Sequence, residues 1–243
     1  MNIQLTLAAR YLFGRKLRTV LTTLAVVFGV LVIFGMNTVL PTMLEAFQAN
    51  ILAASGQVDV TITHQSGEAF AVSVLNRVKA IEGVRAAAGS LGRTVNLPQG
   101  WFGRNVNISA VSLVGLEPRS AQTIRNYSIL QGRFLRTNDT LAAVITTSLA
   151  DQLGLKVGDE INLPTPEGTV ALTLVGLRPA RTLPGNEEVL ITLFEAQKLL
   201  DLPKRINTIE ANLDTTDPAR REAIQKAIEA QLGKSYQFGA LGS

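Results

Sequence analysis

The sequence predicts an α+β chain with one N-terminal membrane-spanning helix, then an α/β subdomain that carries a small β-rich subdomain inside it. Three observations point there. The stretch from Thr19 to Leu44 contains no Asp, Glu, Lys, Arg or His. A strand–helix–strand pattern occurs once shortly after it and again near the C-terminus. Between the two patterns lie short strand-like runs broken repeatedly by Gly and Pro.

The uncharged stretch comes first. As a helix it would be about 39 Å long at ~1.5 Å per residue. A bilayer core is about 30 Å thick and takes about 20 apolar residues, so residues 19–44 are long enough to span it with some tilt. A cleavable signal peptide would have an apolar region of only about 7–15 residues. The small-residue cluster Ala53-Ala54-Ser55 also lies too far downstream for cleavage, so the expectation is an uncleaved anchor. Arg10, Arg15, Lys16 and Arg18 precede it, whereas all 19 acidic residues fall at Glu45 or later. Basic flanks stay on the cytoplasmic side, which places residues 1–18 inside and everything after the span outside. The net charge of +4 and pI near 9.6 therefore report membrane topology and not a basic face for nucleic acid. Met1 to Phe13 reads either as a short helix on the membrane surface or as an extension of the span. Within the span, Ala25 and Gly29 form a small-xxx-small pair that lets a second helix approach closely. Leu44, Phe47 and Ile51 continue a helical spacing into a stalk over residues 45–57, with a kink expected at Pro41.

The external part follows. Val58 to Thr63 alternates apolar and polar residues, as a half-buried strand does. Phe70, Val74, Leu75, Val78 and Ile81 recur at helical spacing up to Gly83, and Val84 to Leu97 reads as one or two extended pieces. Ile206 to Leu213 opens the second unit. Asp217-Pro218 is an N-cap followed by proline at the first helical position. Ala223, Ile224, Ala227, Ile228 and Leu232 form the expected buried face, Gly233 ends the helix, and Tyr236 to Leu241 is a last strand. Two such units, at 58–100 and 203–241, make a ferredoxin-like arrangement. Neither encloses a core alone, so they are expected to pair and to bring the two ends of the external domain together. Residues 101–202 carry strands at Val106–Val114, Ala143–Thr146, Glu160–Leu163, Val170–Val175 and Val189–Thr192, with helices at Ser148–Leu153 and Leu193–Leu200. Short strands with frequent turns suggest a small barrel or sandwich.

Composition narrows the function. There are no cysteines, which excludes disulfides and thiolate chemistry, and the single histidine, His64, would have to serve any Ser-His-Asp triad. No G-x-S-x-G elbow and no G-x-x-x-x-G-K-[ST] phosphate loop occurs, so the chain is not expected to be an enzyme or to hold a cofactor or metal.

The most informative local motif runs from Ser148 to Asp159, SLADQLGLKVGD. A short helix should end at Gly154, which is free to take positive φ, and Gly158-Asp159 should turn the chain into the next strand. Other pieces accompany it in order. They are Arg15-Lys16-Leu17-Arg18-Thr19 before the span, Ile81-Glu82-Gly83-Val84, Val114-Gly115-Leu116-Glu117-Pro118, the turn Leu130-Gln131-Gly132-Arg133-Phe134-Leu135, Leu174 to Leu177, and Ala196 to Leu200. Over nearly its whole length the chain resembles the N-terminal half of MacB/FtsX-type ABC transporter permeases.

That resemblance implies four spans, with a large extracytoplasmic domain of porter-like α/β character and a β-rich insertion between the first two. It implies an ABC-type ATPase subunit that binds ATP, a second permease copy in a dimer, and in some relatives an extracytoplasmic adaptor or substrate protein. It also implies a cell-membrane location and the transmission of motion across the bilayer, for export or for work outside the cell. No further span follows Leu241 in this sequence, so the expectation is part of a four-span permease or a truncated one. A stand-alone single-pass adaptor or scaffold is the alternative from a different class.

Overall fold

The computed structural model describes residues 20–35, 58–103, 106–166, 168–180 and 186–239. Residues 1–50 and 51–243 form two separate units. In the first, residues 20–35 are a helix, α1, whose large apolar side chains are exposed, from Val20 to Phe34. Such a segment is about 24 Å long at ~1.5 Å per residue. Among the described residues no helix is long and apolar enough to cross a membrane. Thr19, residues 36–44, the stalk at 45–57 and the basic flank all lie outside the described residues.

Among its described residues, the second unit is built on one ten-stranded sheet. In chain order its elements begin with β1 (Val60–His64), β2 (Phe70–Ala71), α2 (Ser73–Lys79) and β3 (Val84–Asn96). Next come β4 (Ala110–Leu116), α3 (Pro118–Ile124), β5 (Gln131–Gly132), β6 (Ala142–Thr146) and α4 (Thr147–Leu153). Then follow β7 (Glu160–Thr165), β8 (Gly168–Arg178), β9 (Glu187–Thr192) and α5 (Leu193–Leu199). The chain closes with β10 (Arg205–Ile206), β11 (Thr208–Leu213), α6 (Pro218–Leu232) and β12 (Tyr236–Gly239). The sheet order is β12-β1-β11-β3-β4-β9-β6-β8-β5, with β7 paired to β8, while β2 and β10 form a separate two-stranded ribbon.

The first four strands of that order are all antiparallel, with Ile62 opposite Ile209 and Phe238, and Ala211 opposite Ala87. With α2 after β1 and α6 after β11, this is the split βαβ connectivity. The pairing of β12 with β1 sets Gly239 beside Thr61, so the end of the domain returns to its beginning.

Alternation along the strands gives the sheet two faces. On one face, α2 and α6 cover Val60, Ile62, Ala87, Ile209 and Ala211, and Ile224, Ile228 and Leu232 point inward from α6. On the same face further along the sheet, Leu149 and Ala150 of α4 and Ala196 of α5 pack with Leu91, Val111, Leu113, Ile145 and Ile191. The other face holds a smaller cluster around Leu116, Ala121, Val144 and Leu190, and a minor one of Val58, Ala88 and Ile124.

Three features depart from the sequence reading. Phe70 is not on a helix: it sits in β2, paired with Ile206, and the ribbon carries it into the core. The buried stripe of α6 is narrower than expected, because Ala223 and Ala227 are exposed and the three larger residues alone meet the sheet. The strands of 101–202 do not make a barrel of their own. β4 pairs with β3 on one side and, in parallel, with β9 on the other, so these strands continue the same sheet. The reason lies in β3, a single strand of 13 residues, long enough to pair with β11 through its first half and β4 through its second.

Candidate functional site

The turns singled out in the sequence are built as follows. Thr146 caps α4 by accepting from the Leu149 N–H, and Gly154 ends the helix in the left-handed region at φ 67. The Leu155 N–H then reaches back to the Ala150 carbonyl at 2.9 Å, a closure that favours glycine at the preceding position. Gly158 has φ 100, and its N–H donates to the Leu174 carbonyl at 2.8 Å. The Asp159 carboxylate accepts from the Lys156 N–H at 2.8 Å, and the Asp159 N–H donates to the Lys156 carbonyl at 3.0 Å, closing the turn into β7. Gly132, at φ 75, lies in β5 opposite Gly176 of β8. Gly29 belongs to α1, and a Cβ there would meet nothing within 4 Å; Ala25 is on the same helix. Arg10, Arg15, Lys16 and Arg18 lie outside the described residues.

This α4–β7 turn borders a cleft of about 530 Å³. Trp101 and Phe102 form one wall, Leu153 and Leu155 another, and Glu160 and Asn162 of β7 stand at its polar side. The Trp101 indole N–H donates to the Asn162 carbonyl at 2.8 Å, which fixes the 97–102 loop against the edge of β7. Pro164 on that same strand lacks an N–H and so weakens it as a template for further pairing. The cleft thus offers aromatic and aliphatic surface with one carboxylate, the composition of a contact surface.

The opposite side of the sheet carries charge. Arg125, at the C-terminal end of α3, donates two hydrogen bonds to Glu210 of β11, and Arg178 of β8 meets Glu188 of β9 at 2.8 Å. Burial disfavours the Arg125 cation, but the hydrogen bond and charge of Glu210 outweigh it and hold the guanidinium above its usual range. Tyr127 stacks on Phe134 with ring centroids 4.7 Å apart. Burial, with Glu210 adding to it, pushes its hydroxyl up to about 12. Nothing in the local sequence signals the Arg125–Glu210 pair, whose members are 85 positions apart. The start of α3 did carry a signal, because Glu117 caps it and Pro118 is its first residue, the same logic as Asp217-Pro218.

A third cluster fixes the segment after β5. Arg133 donates to both Asp139 oxygens, at 2.6 and 2.9 Å, and the Arg136 N–H adds a third bond at 2.8 Å. The Arg133 hydrogen bond holds the Asp139 carboxyl below the ordinary Asp range against the opposing effect of burial. A carboxylate depressed in the folded state stabilises fully above the unfolded value, about 3.9, and loses that contribution as pH falls through the folded value. Asp139→Asn should therefore flatten the acid limb of a melting-temperature profile below about pH 4 and leave its shape near neutrality unchanged. Melting curves of variant and parent from neutral to acid pH check this.

The chain belongs to the MacB-like periplasmic core domain family, which matches residues 19–231. Its fold is similar to the periplasmic region of MacB from Actinobacillus actinomycetemcomitans, with TM-score 0.57 and 12% identity over 79% of this chain and 94% of that one. It is also similar to the extracellular domain of the noncanonic ABC-type transporter YknZ from Gram-positive bacteria, with TM-score 0.52 and 13% identity over 75% of this chain and 98% of that one. No curated protein matches the sequence.

Proposed function

We propose that the chain is the N-terminal half of a permease subunit of a MacB/FtsX-type ABC transporter. In this reading residues 19–44 span the cell membrane with the N-terminus inside, and the unit built on the ten-stranded sheet is its extracytoplasmic domain. Residues 58–100 and 203–241 are the porter-like part, and 101–202 form the insertion that reaches a partner or substrate. The observation that carries the reading is the family match over 19–231, because it runs from the uncharged stretch through almost the whole domain. The return of β12 to β1 supports it, since a domain between two spans has to come back to where it left. ATP binds a partner ATPase subunit, a second permease copy completes the assembly, and the external domain couples their motion to export or other work outside the cell.

The orientation is testable directly. With Arg15, Lys16 and Arg18 all replaced by neutral residues, the external domain should become partly or wholly cytoplasmic. A compartment-sensitive reporter fused after Ser243 reads this out. A reporter that stays fully external in the triple variant would mean that these residues do not set the topology, and a reporter that is cytoplasmic in the parent would remove the proposed arrangement.

A further inference from the structure

The segment from Glu117 to Leu135 crosses the second face of the sheet as a strap. Its later part is held firmly. Tyr127, Ile129, Phe134 and Leu135 join the cluster around Val144 and Leu190, and Gly132 pairs into β8. The C-terminal turn of α3 is held differently. Ala121 touches the cluster around Leu116, but Ile124 lies in a minor cluster with Val58 and Ala88, with Ala86 beside them, and two alanines offer little apolar area. Polar contacts add to this: the Arg125–Glu210 ion pair, and the Asn212 side-chain amide donating to the Ile124 carbonyl at 3.2 Å. Asn212 is buried to 1% exposure, yet its Oδ1 has no hydrogen-bond partner among the described residues. A buried acceptor left unpaired disfavours the docked arrangement. α3 itself has seven residues, too few to persist as a helix without its contacts.

We infer that the C-terminal turn of α3 with Arg125 is a clasp, docked by the Arg125–Glu210 pair, that opens locally while the sheet beneath it stays folded. Its position gives the opening a consequence. Val58 lies two residues before β1, so the clasp joins the approach to β1 to the strap of the 101–202 region. Displacement of the chain at Val58 and release of the strap are thereby linked. A partly buried ion pair suits such a joint: removing one partner leaves the other charge uncompensated, whereas an apolar pair of similar size often holds as well or better, so charge here makes the joint specific without making it permanent. The inference rests on the fold alone and does not depend on the transport reading.

Hydrogen exchange on the full 243-residue chain in detergent tests it. In the parent, the amides at the end of α3, including the Arg125 N–H that bonds to the Ala121 carbonyl, should exchange well before those of α6. Glu210→Gln should speed their exchange further, by roughly tenfold, because a hydrogen bond between charged groups is lost. The double variant Arg125→Met with Glu210→Leu should return it to the parent rate or slower. In all three chains α6 should exchange unchanged. Exchange of α3 in step with α6 in the parent would overturn the clasp, and that comparison stands even if Glu210→Gln fails to fold. A Glu210→Gln variant that exchanges at the parent rate would show that the ion pair is not what fastens it, and a double variant as fast as the single one would show that an apolar pair cannot take its place.

Discussion

Gly176→Ala should be the most damaging single-methyl substitution in the domain, and Gly132→Ala close behind it. A Cβ at Gly176 would run into the carbonyl oxygen of Arg133 and stand 3.0 Å from its carbonyl carbon. One at Gly132 would meet the Val175 carbonyl oxygen and lie 3.0 Å from the Gly176 Cα, at a φ of 75 that L residues rarely adopt. These obstacles are backbone and cannot rotate away. The turn is therefore a point where two backbones touch, and the Arg133–Asp139 cluster is hung from it. Overpacking costs typically about 1–3 kcal/mol and occasionally more. With backbone on both sides, the upper part of that range is expected for Gly176→Ala. Thermal melts of the purified protein check it; an unchanged melting temperature would mean that the two backbones separate freely.

Gly115→Ala should have an effect of similar size through a different contact. Gly115 lies in β4 between Leu91 of β3 and Ile191 of β9. Its missing side chain is the space in which α5 sits: a Cβ there would overlap the Cβ of Ala196 and stand 3.3 Å from the Leu193 Cα. Ala196 is fully buried and Leu193 packs on both large clusters, so lifting α5 disturbs the two together. A loss of about 2–3 kcal/mol is expected. The compensating double variant Gly115→Ala with Ala196→Gly should recover part of it, which distinguishes a steric contact from a strand-propensity effect.

How far the fold was legible depended on whether its causes were local. The α6 helix was readable from end to end because Asp217, Pro218 and Gly233 act on their immediate neighbours. The α4 helix and its turn were readable for the same reason, through Gly154 and Gly158. Phe70 was misplaced because its spacing from Val74 mimics a helix, while its burial comes from pairing with Ile206, far along the chain. The parallel pairing of β4 with β9 joins residues such as Leu113 and Val189 that no turn connects, so nothing in either strand announces one continuous sheet. The candidate contact surfaces were the least legible. Trp101 could be seen as a lone tryptophan, but its bond to the Asn162 carbonyl is a tertiary event, as is the Arg125–Glu210 pair.

The proposed role stands or falls on the ATPase. Mild-detergent capture of this protein from its own membranes, followed by identification of its stoichiometric partners and assay of ATP hydrolysis, addresses it most directly. We expect an ABC-type ATPase subunit to be recovered in defined ratio, with hydrolysis that changes when Gly115→Ala disrupts the external domain. Recovery of the protein with no ATPase subunit and no ATP hydrolysis would contradict the permease reading and leave a membrane-anchored adaptor in its place.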